Sequence, residues 1–155
     1  MADLWKKPPI NFIPNTPGRT LGQRNNNPGN LRWHDKDTYN GTIGWDNSNN
    51  QHNVFAREDY GWRAQLTNLY SHIKSYPKHS IRDWIEGTKD WQGYAEGSKK
   101  DYIEFIEKKT GKSANLPMSA FNPLELVNVM ALWESNMQMT PDMRKRVLEM
   151  MEKER

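Results

Sequence analysis

The sequence has no cysteine among its 155 residues, which excludes disulfide bonds and thiolate metal sites. It also has no apolar run that approaches the roughly 20 residues of a membrane-spanning helix, so we predict no membrane span. The N-terminus lacks the apolar core of a secretory signal peptide. If the protein acts outside the cytoplasm in which it is made, we expect another agent to carry it there.

The signatures of several kinds of functional site are missing as well. His34 and His52 have acidic neighbours, but no His-x-x-x-His or His-Glu-x-x-His spacing occurs, so we predict no metal site and no other cofactor. No Gly-x-Ser-x-Gly elbow is present. The net charge of +3 is small, and basic residues are interleaved with acidic ones. Nucleic acid is therefore not an expected partner.

Residues 1–22 form a proline-rich segment, which predicts an extended arm and not a helix. It contains Pro8, Pro9, Pro14 and Pro17, together with the apolar residues Trp5, Ile10, Phe12 and Ile13. Two interpretations stay open for this arm. It could pack on its own domain, or it could dock on a partner protein. We take residues 23–155 as the folded domain.

Aromatic residues supply most of the expected core, since the chain has seven Trp, six Tyr and four Phe but only 35% apolar residues. Three short segments separated by Asn-, Asp- and Gly-rich turns predict a hairpin or a three-stranded flap. These segments are 31–33, 42–45 and 53–55. No alternation of strands and helices follows, which argues against a parallel sheet.

Helix signals fill the rest of the chain and predict a mainly α (α+β) fold with a small antiparallel β element near the front. The predicted starts are Asp59, Ser80, Ser98, Asn122-Pro123 and Thr140-Pro141, with Gly111 as a stop. In the last helix, the spacing places Met143, Val147, Leu148 and Met151 on the inner side.

The stretch Gln23–Trp33 has an unusual composition, with three consecutive asparagines followed by Pro-Gly-Asn. Asn and Gly tolerate positive φ and Pro fixes φ, so the stretch predicts a tight turn and not a helix. Its side-chain amides each carry a donor and an acceptor. They could bind a neutral polar ligand such as a sugar, or they could tie the turn to itself.

Helix 123–135 is almost wholly apolar, and this predicts a central position. At about 100° per residue, Glu134 lies roughly opposite the polar stripe of Glu125 and Asn128. Burial would raise the pKa of its carboxyl and keep it protonated, as a general acid requires. Alternatively, the side chain could reach water or pair with an arginine. No second carboxylate is obvious, because Asp35, Asp37, Asp46 and Asp59 have the patterns of turn or cap residues.

The run Arg24–Arg32 resembles the RNNNPGN(I/L)R signature of phage-encoded virion and lysis proteins. The resemblance covers about residues 23–150 and continues in order through later, weaker matches. These are Trp45, Phe55, Tyr60-Gly61-Trp62-Arg63-Ala64, Trp91, Asp101-Tyr102, Gly111 and Glu134-Ser135-Asn136. The last match is similar to the helix end that bears the catalytic glutamate of lytic transglycosylases and bacterial glucosaminidases. In the glucosaminidases, however, the turn and strand motifs follow that glutamate, so the resemblance implies a circularly permuted lysozyme-like domain.

This resemblance implies an enzyme that cleaves the glycan strand of bacterial peptidoglycan, with Glu134 as the catalytic residue. Asn26, Asn27, Asn30 and Tyr60 are the expected sugar contacts. Trp33 and Trp45 could stack on sugar rings or pack in the core. The chain departs from the family's usual His-Glu-Asn-Gly, because it has Trp-Glu-Ser-Asn. A non-enzymatic virion or tail adaptor protein therefore remains the alternative.

The expected location follows from the same resemblance. We expect a phage particle, or a separate holin, to bring the protein to the host periplasm and cell wall. There it would aid the passage of the genome or lysis. The expected partners are peptidoglycan and, through the N-terminal arm, other virion proteins.

Overall fold

A computed structural model describes residues 19–33, 39–46, 51–95 and 97–153. The chain forms α1 (Leu21–Asn25), β1 (Thr42–Trp45), β2 (Asn53–Phe55), α2 (Glu58–Ser75), α3 (Ile81–Glu86), α4 (Lys99–Thr110), a 3₁₀ turn (Met118–Ala120), α5 (Pro123–Ser135) and α6 (Pro141–Lys153). The predicted mainly helical fold with a small antiparallel β element is confirmed. The predicted arm, apart from its last residues, and His34, Asp35 and Asp37 lie outside the described residues.

Most predicted helix ends agree with the structure, because capping residues in the local sequence determine them. The Ser80 and Ser98 side chains accept hydrogen bonds from the third amide of α3 and α4, and Asn122 does the same for α5. Gly111 ends α4 in the left-handed region, and Pro123 is the first residue of α5. Capping residues therefore specify these boundaries from local sequence.

The predicted cap of α2 is wrong by two residues. Arg57 is the N-cap, and Asp59 lies buried in the first turn of the helix. The Asp59 carboxylate accepts hydrogen bonds from the Arg57 guanidinium at 3.1 Å and from the amide of Tyr60 at 2.9 Å. Because the acidic side chain finds these partners within the turn, the helix starts before it.

The prediction that Gln23–Asn25 belongs to a turn is also wrong, since these residues lie in α1. Thr20 and Gln23 form a reciprocal capping box that starts this helix, and Asn26 ends it with a φ of 52°. The same Thr20 hydroxyl donates to the main-chain carbonyl of Ser135 at 2.7 Å, and the Ser135 hydroxyl donates to the carbonyl of Asn27 at 3.3 Å. Residues 20–22 are thus part of the domain and not of an arm.

The main core lies among α2, α4, α5 and α6, and Ile81, Trp84 and Ile85 of α3 are buried in it as well. Its fully buried side chains include Trp62, Leu66, Tyr102, Ile106 and Met130. Burial of such large apolar surfaces supplies the dominant free energy of folding.

The last helix, α6, contributes Val147 to this core, with Met143 and Met151 packed partly against it. Leu148 was predicted to face inward, but 43% of its surface is exposed. Met143 and Met151 are four residues on either side of Val147 and share its stripe. Leu148, by contrast, is rotated about 100° from that stripe.

The β element is a two-stranded antiparallel hairpin, with a register irregularity between Thr42 and Gly44. The predicted third strand is reduced to one bridge, between Arg32 and His52. Leu31, Phe55 and Ala64 form a second, small apolar cluster beneath the hairpin. No helix in the described part of the chain is both long and apolar enough to span a membrane.

Candidate functional site

The turn after α1 is held together by Asn27. This residue is fully buried, and its amide donates to the carbonyls of Leu31 at 2.9 Å and Asn53 at 3.0 Å. Its side-chain oxygen accepts from the amide of Leu31 at 2.9 Å. With no accessible atom, Asn27 ties the turn to β2. Of the two interpretations of the turn amides, the structure therefore supports tying the turn together for Asn27. Asn27 cannot contact a sugar in this geometry.

Asn26 has a similar anchoring contact but is partly exposed. Its amide donates to the carbonyl of Phe55 at 3.0 Å. Together with Asn136, the left-handed cap of α5, it lines an open polar groove with a volume of about 440 Å³. Glu134 and Asn30 are not among the residues that line this groove.

Asn30 reaches across to the end of α5. Its amide donates to the main-chain carbonyl of Glu134 at 2.9 Å and approaches the carboxyl Oε2 at 3.3 Å. The main-chain contact fixes the amide orientation, because only the nitrogen can donate to a carbonyl. The Asn30 side-chain oxygen is left buried without a hydrogen-bond partner. The structure therefore brings the turn and the predicted catalytic residue into direct contact.

The carboxyl of Glu134 is partly buried between this turn and α4. Burial raises its pKa above the ordinary value, while the hydrogen bond from Asn30 and the nearby hydroxyl of Tyr102 act in the lowering direction. The Tyr102 hydroxyl lies beside the carboxyl but makes no hydrogen bond of ordinary geometry. A carboxyl whose pKa is raised by burial is able to hold a proton closer to neutral pH.

Tyr94 forms the other side of the site. Its hydroxyl donates to the carbonyl of Gly29 and lies 3.3 Å from Oε1 of Gln65. Burial and the nearby charge of Glu134 raise the pKa of Tyr94 well above its ordinary value, as they do for Tyr102. The side-chain nitrogen of Gln65 is buried without a partner.

Sequence reasoning missed Tyr94, Tyr102 and Gln65 as parts of the site. Tyr102 appears in the sequence analysis only within the Asp101-Tyr102 match, and the structure places its side chain fully buried on α4. A hydroxyl on an otherwise apolar helix face needs a polar partner inside the protein. That requirement is the signal that could have placed Tyr102 near Glu134.

The three predicted aromatic sugar contacts lie around the hairpin and α2. Trp33 and Trp45 are partly exposed and pack together, with ring centroids 4.4 Å apart and an interplanar angle of 34°. Tyr60 packs closely under Gly41, and the Arg57 guanidinium lies 4.3 Å from its ring centroid. Trp33 and Trp45 thus contact each other, and Tyr60 contacts Gly41 and Arg57. The described contacts of Glu134 come instead from Asn30 and Tyr102.

The other candidate carboxylates within the described residues are engaged elsewhere. Asp46 is buried and accepts hydrogen bonds from the Asn25 amide at 2.7 Å and the main-chain amide of His52 at 3.1 Å. Burial lowers the pKa of His52, although the charge of Asp46 opposes this. Asp59 is held by Arg57. In the described ranges, no group of three potential ligands could hold a metal ion.

No protein-family model and no characterised protein matches this chain. The chemistry of the site therefore has to be judged from its own geometry.

Proposed function

We propose that this protein is an enzyme that cleaves the glycan strand of bacterial peptidoglycan, with Glu134 as its general acid. The observation that carries this proposal is the setting of the Glu134 carboxyl. Glu134 lies near the end of α5, the most apolar helix. Burial raises the pKa of its carboxyl, and the side-chain amide of Asn30 in the RNNNPGN turn donates a hydrogen bond to it. The sequence resemblance supplies the substrate class and a lysozyme-like domain.

A single carboxyl is sufficient for this chemistry when the substrate assists. Protonated Glu134 would donate its proton to the glycosidic oxygen as the bond from that oxygen to C1 breaks. The N-acetyl oxygen of the same sugar would stabilise C1. The Glu134 carboxylate would then accept a proton from the hydroxyl group that replaces the leaving sugar. In substrate-assisted cleavage the N-acetyl oxygen takes the place of a nucleophilic carboxylate, which agrees with the engagement of Asp46 and Asp59 elsewhere.

The decisive experiment compares wild type with Glu134→Gln on purified peptidoglycan, by zymogram and by loss of turbidity. Glutamine preserves the shape and the hydrogen bonds but cannot donate a proton as an acid. We expect lysis to fall by about 10²-fold or more, the usual contribution of a general acid. The melting temperature should change little. Lysis by Glu134→Gln at the wild-type rate would refute the proposal.

The matched control is Glu125→Gln, because Glu125 is an exposed glutamate in the first turn of the same helix. It should retain full activity. Mass spectrometry of the released fragments would then distinguish an anhydro product from a hydrolysed one.

The second candidate is a non-enzymatic virion or tail adaptor with a degenerate lysozyme-like domain. One observation favours it: the Asn30 amide binds both the main chain and the carboxyl of Glu134, as a purely structural clamp would. This candidate predicts that the folded wild-type protein lacks lytic activity and that Glu134→Gln loses only stability. For both candidate functions, we propose that a phage particle carries the protein to the host cell wall and that the protein acts there.

A further inference from the structure

Trp133 is an exposed aromatic residue directly before Glu134 in α5. It keeps 39% of its surface accessible, although the residues around it in this helix are largely buried. An exposed indole loses the free energy that burial of its apolar surface would provide. Tyr70 and Leu148 are exposed to a similar extent, so exposure alone does not distinguish Trp133. Its position next to the candidate catalytic carboxyl does.

The Trp133 ring is held in a fixed orientation by two rings of α4. It stacks on Tyr102 with centroids 5.2 Å apart and an interplanar angle of 22°, and it packs against Phe105 at 5.3 Å. Tyr102 is fully buried and Phe105 is partly buried, so the support is rigid. A flat, pre-oriented ring loses little conformational entropy when a ligand binds to it.

Tyr102 also connects this surface to Glu134. One face of its ring carries Trp133, and its hydroxyl lies beside the Glu134 carboxyl. A single tyrosine ring therefore links the exposed indole and the proposed acid. A sugar over Trp133 and a glycosidic bond at Glu134 could belong to the same glycan strand.

We infer that Trp133 is a sugar-binding platform that stacks on a pyranose ring of a β-1,4-linked N-acetylhexosamine strand next to Glu134. The inference rests on the proposed function and adds a binding position to it. A pyranose has an apolar C–H face and a polar rim, and this suits a partly exposed aromatic ring surrounded by water.

The test measures binding of a β-1,4-linked N-acetylglucosamine hexamer by calorimetry. The parent protein and all variants carry Glu134→Gln, so that the hexamer is not cleaved during the measurement. We expect Trp133→Ala to weaken binding about tenfold, equivalent to the stacking free energy of an aromatic pair. Trp133→Phe keeps a ring and should recover part of the affinity. The melting temperature of each variant shows that the fold is retained.

The matched control is Tyr70→Ala, which removes an exposed aromatic residue on α2, 46% of whose surface is accessible. It should bind the hexamer like its parent. Equal binding by the Trp133→Ala variant and its parent would overturn the inference, and so would equal weakening by Tyr70→Ala. Absence of binding by the parent overturns it too. The binding assay does not depend on catalysis. If the proposed function is wrong, this is seen in a different experiment, in which Glu134→Gln lyses peptidoglycan at the wild-type rate.

Discussion

The side-chain amide of Asn30 binds Glu134 at two points, the main-chain carbonyl at 2.9 Å and the carboxyl at 3.3 Å, across 104 residues of sequence. Asn30 can reach both because it has a φ of 49°, a left-handed conformation that Asn tolerates better than most residues. The orientation of the proposed acid therefore depends on the conformation of a turn from the opposite end of the chain.

Asn27→Ala should destabilise the protein strongly. It would leave the main-chain carbonyl of Asn53 and the amide of Leu31 without the hydrogen bonds that Asn27 provides, whereas the carbonyl of Leu31 keeps its bond from the amide of Asn53. An unsatisfied buried group costs about 1–3 kcal/mol, so we expect a loss of roughly 3 kcal/mol or more in the free energy of unfolding. Urea denaturation measures this directly.

The contrasting variant is Asn30→Gly, which removes an amide from the same turn but keeps a residue suited to positive φ. It should cost only about 1–2 kcal/mol. If Asn27→Ala unfolded at the wild-type urea concentration, the buried hydrogen bonds described here would not stabilise the turn.

Tyr102→Phe should change the pH dependence of lysis more than it changes stability. The hydroxyl lowers the pKa of Glu134, so its removal should raise that pKa further. A general acid must be protonated, and the alkaline limb of the activity profile should therefore move to higher pH. The free energy of unfolding should change by less than about 1 kcal/mol, because the hydroxyl makes no ordinary hydrogen bond and the ring is kept. An unmoved alkaline limb would contradict this role.

His72 should make the protein less stable at acid pH. Its ring lies against Tyr76, His79, Trp84 and Trp91, and its Nε2 is 3.0 Å from Nδ1 of His79. Burial, and secondarily the charge of His79, lowers its pKa from 6.5 to about 4. The unfolded chain therefore takes up this proton more readily, and stability falls as the pH drops from about 6.5 towards 4.

The difference in pKa corresponds to a loss of at most about 3 kcal/mol in the free energy of unfolding. His72→Phe keeps an aromatic ring in the same place and removes the titration. Thermal unfolding of both proteins between pH 4 and pH 8 provides the measurement. The variant should show a shallower dependence, with the remainder coming from groups such as His52. Parallel curves would exclude His72 as the source.

The helical framework and the position of Glu134 were accessible from sequence because both depend on local patterns. Ser98, Gly111 and Asn122 specify helix ends through contacts within a few residues, and the apolar stripe of α5 predicts its burial. The partners of Glu134 come from distant segments. The hydroxyl of Tyr102 on an apolar helix face indicates that a polar partner is needed, but nothing local to Tyr94 or Tyr102 identifies Glu134 as that partner. Asn27 and Asn30 look equivalent in sequence. Only the folded structure shows that Asn27 is buried and holds the turn together, whereas Asn30 contacts Glu134.

The Leu31, Phe55 and Ala64 cluster is separate from the larger core of α2, α4, α5 and α6. Residues 20–33 are joined to the end of α5 mainly by hydrogen bonds, such as those of Thr20, Asn30 and Ser135. Such a segment can open as a unit at a lower free energy than global unfolding requires. The opened form would keep its helices and yet lose the surroundings of Glu134. Hydrogen exchange at Leu31 and at Met130 would then report two different opening free energies, one for the site and one for the fold.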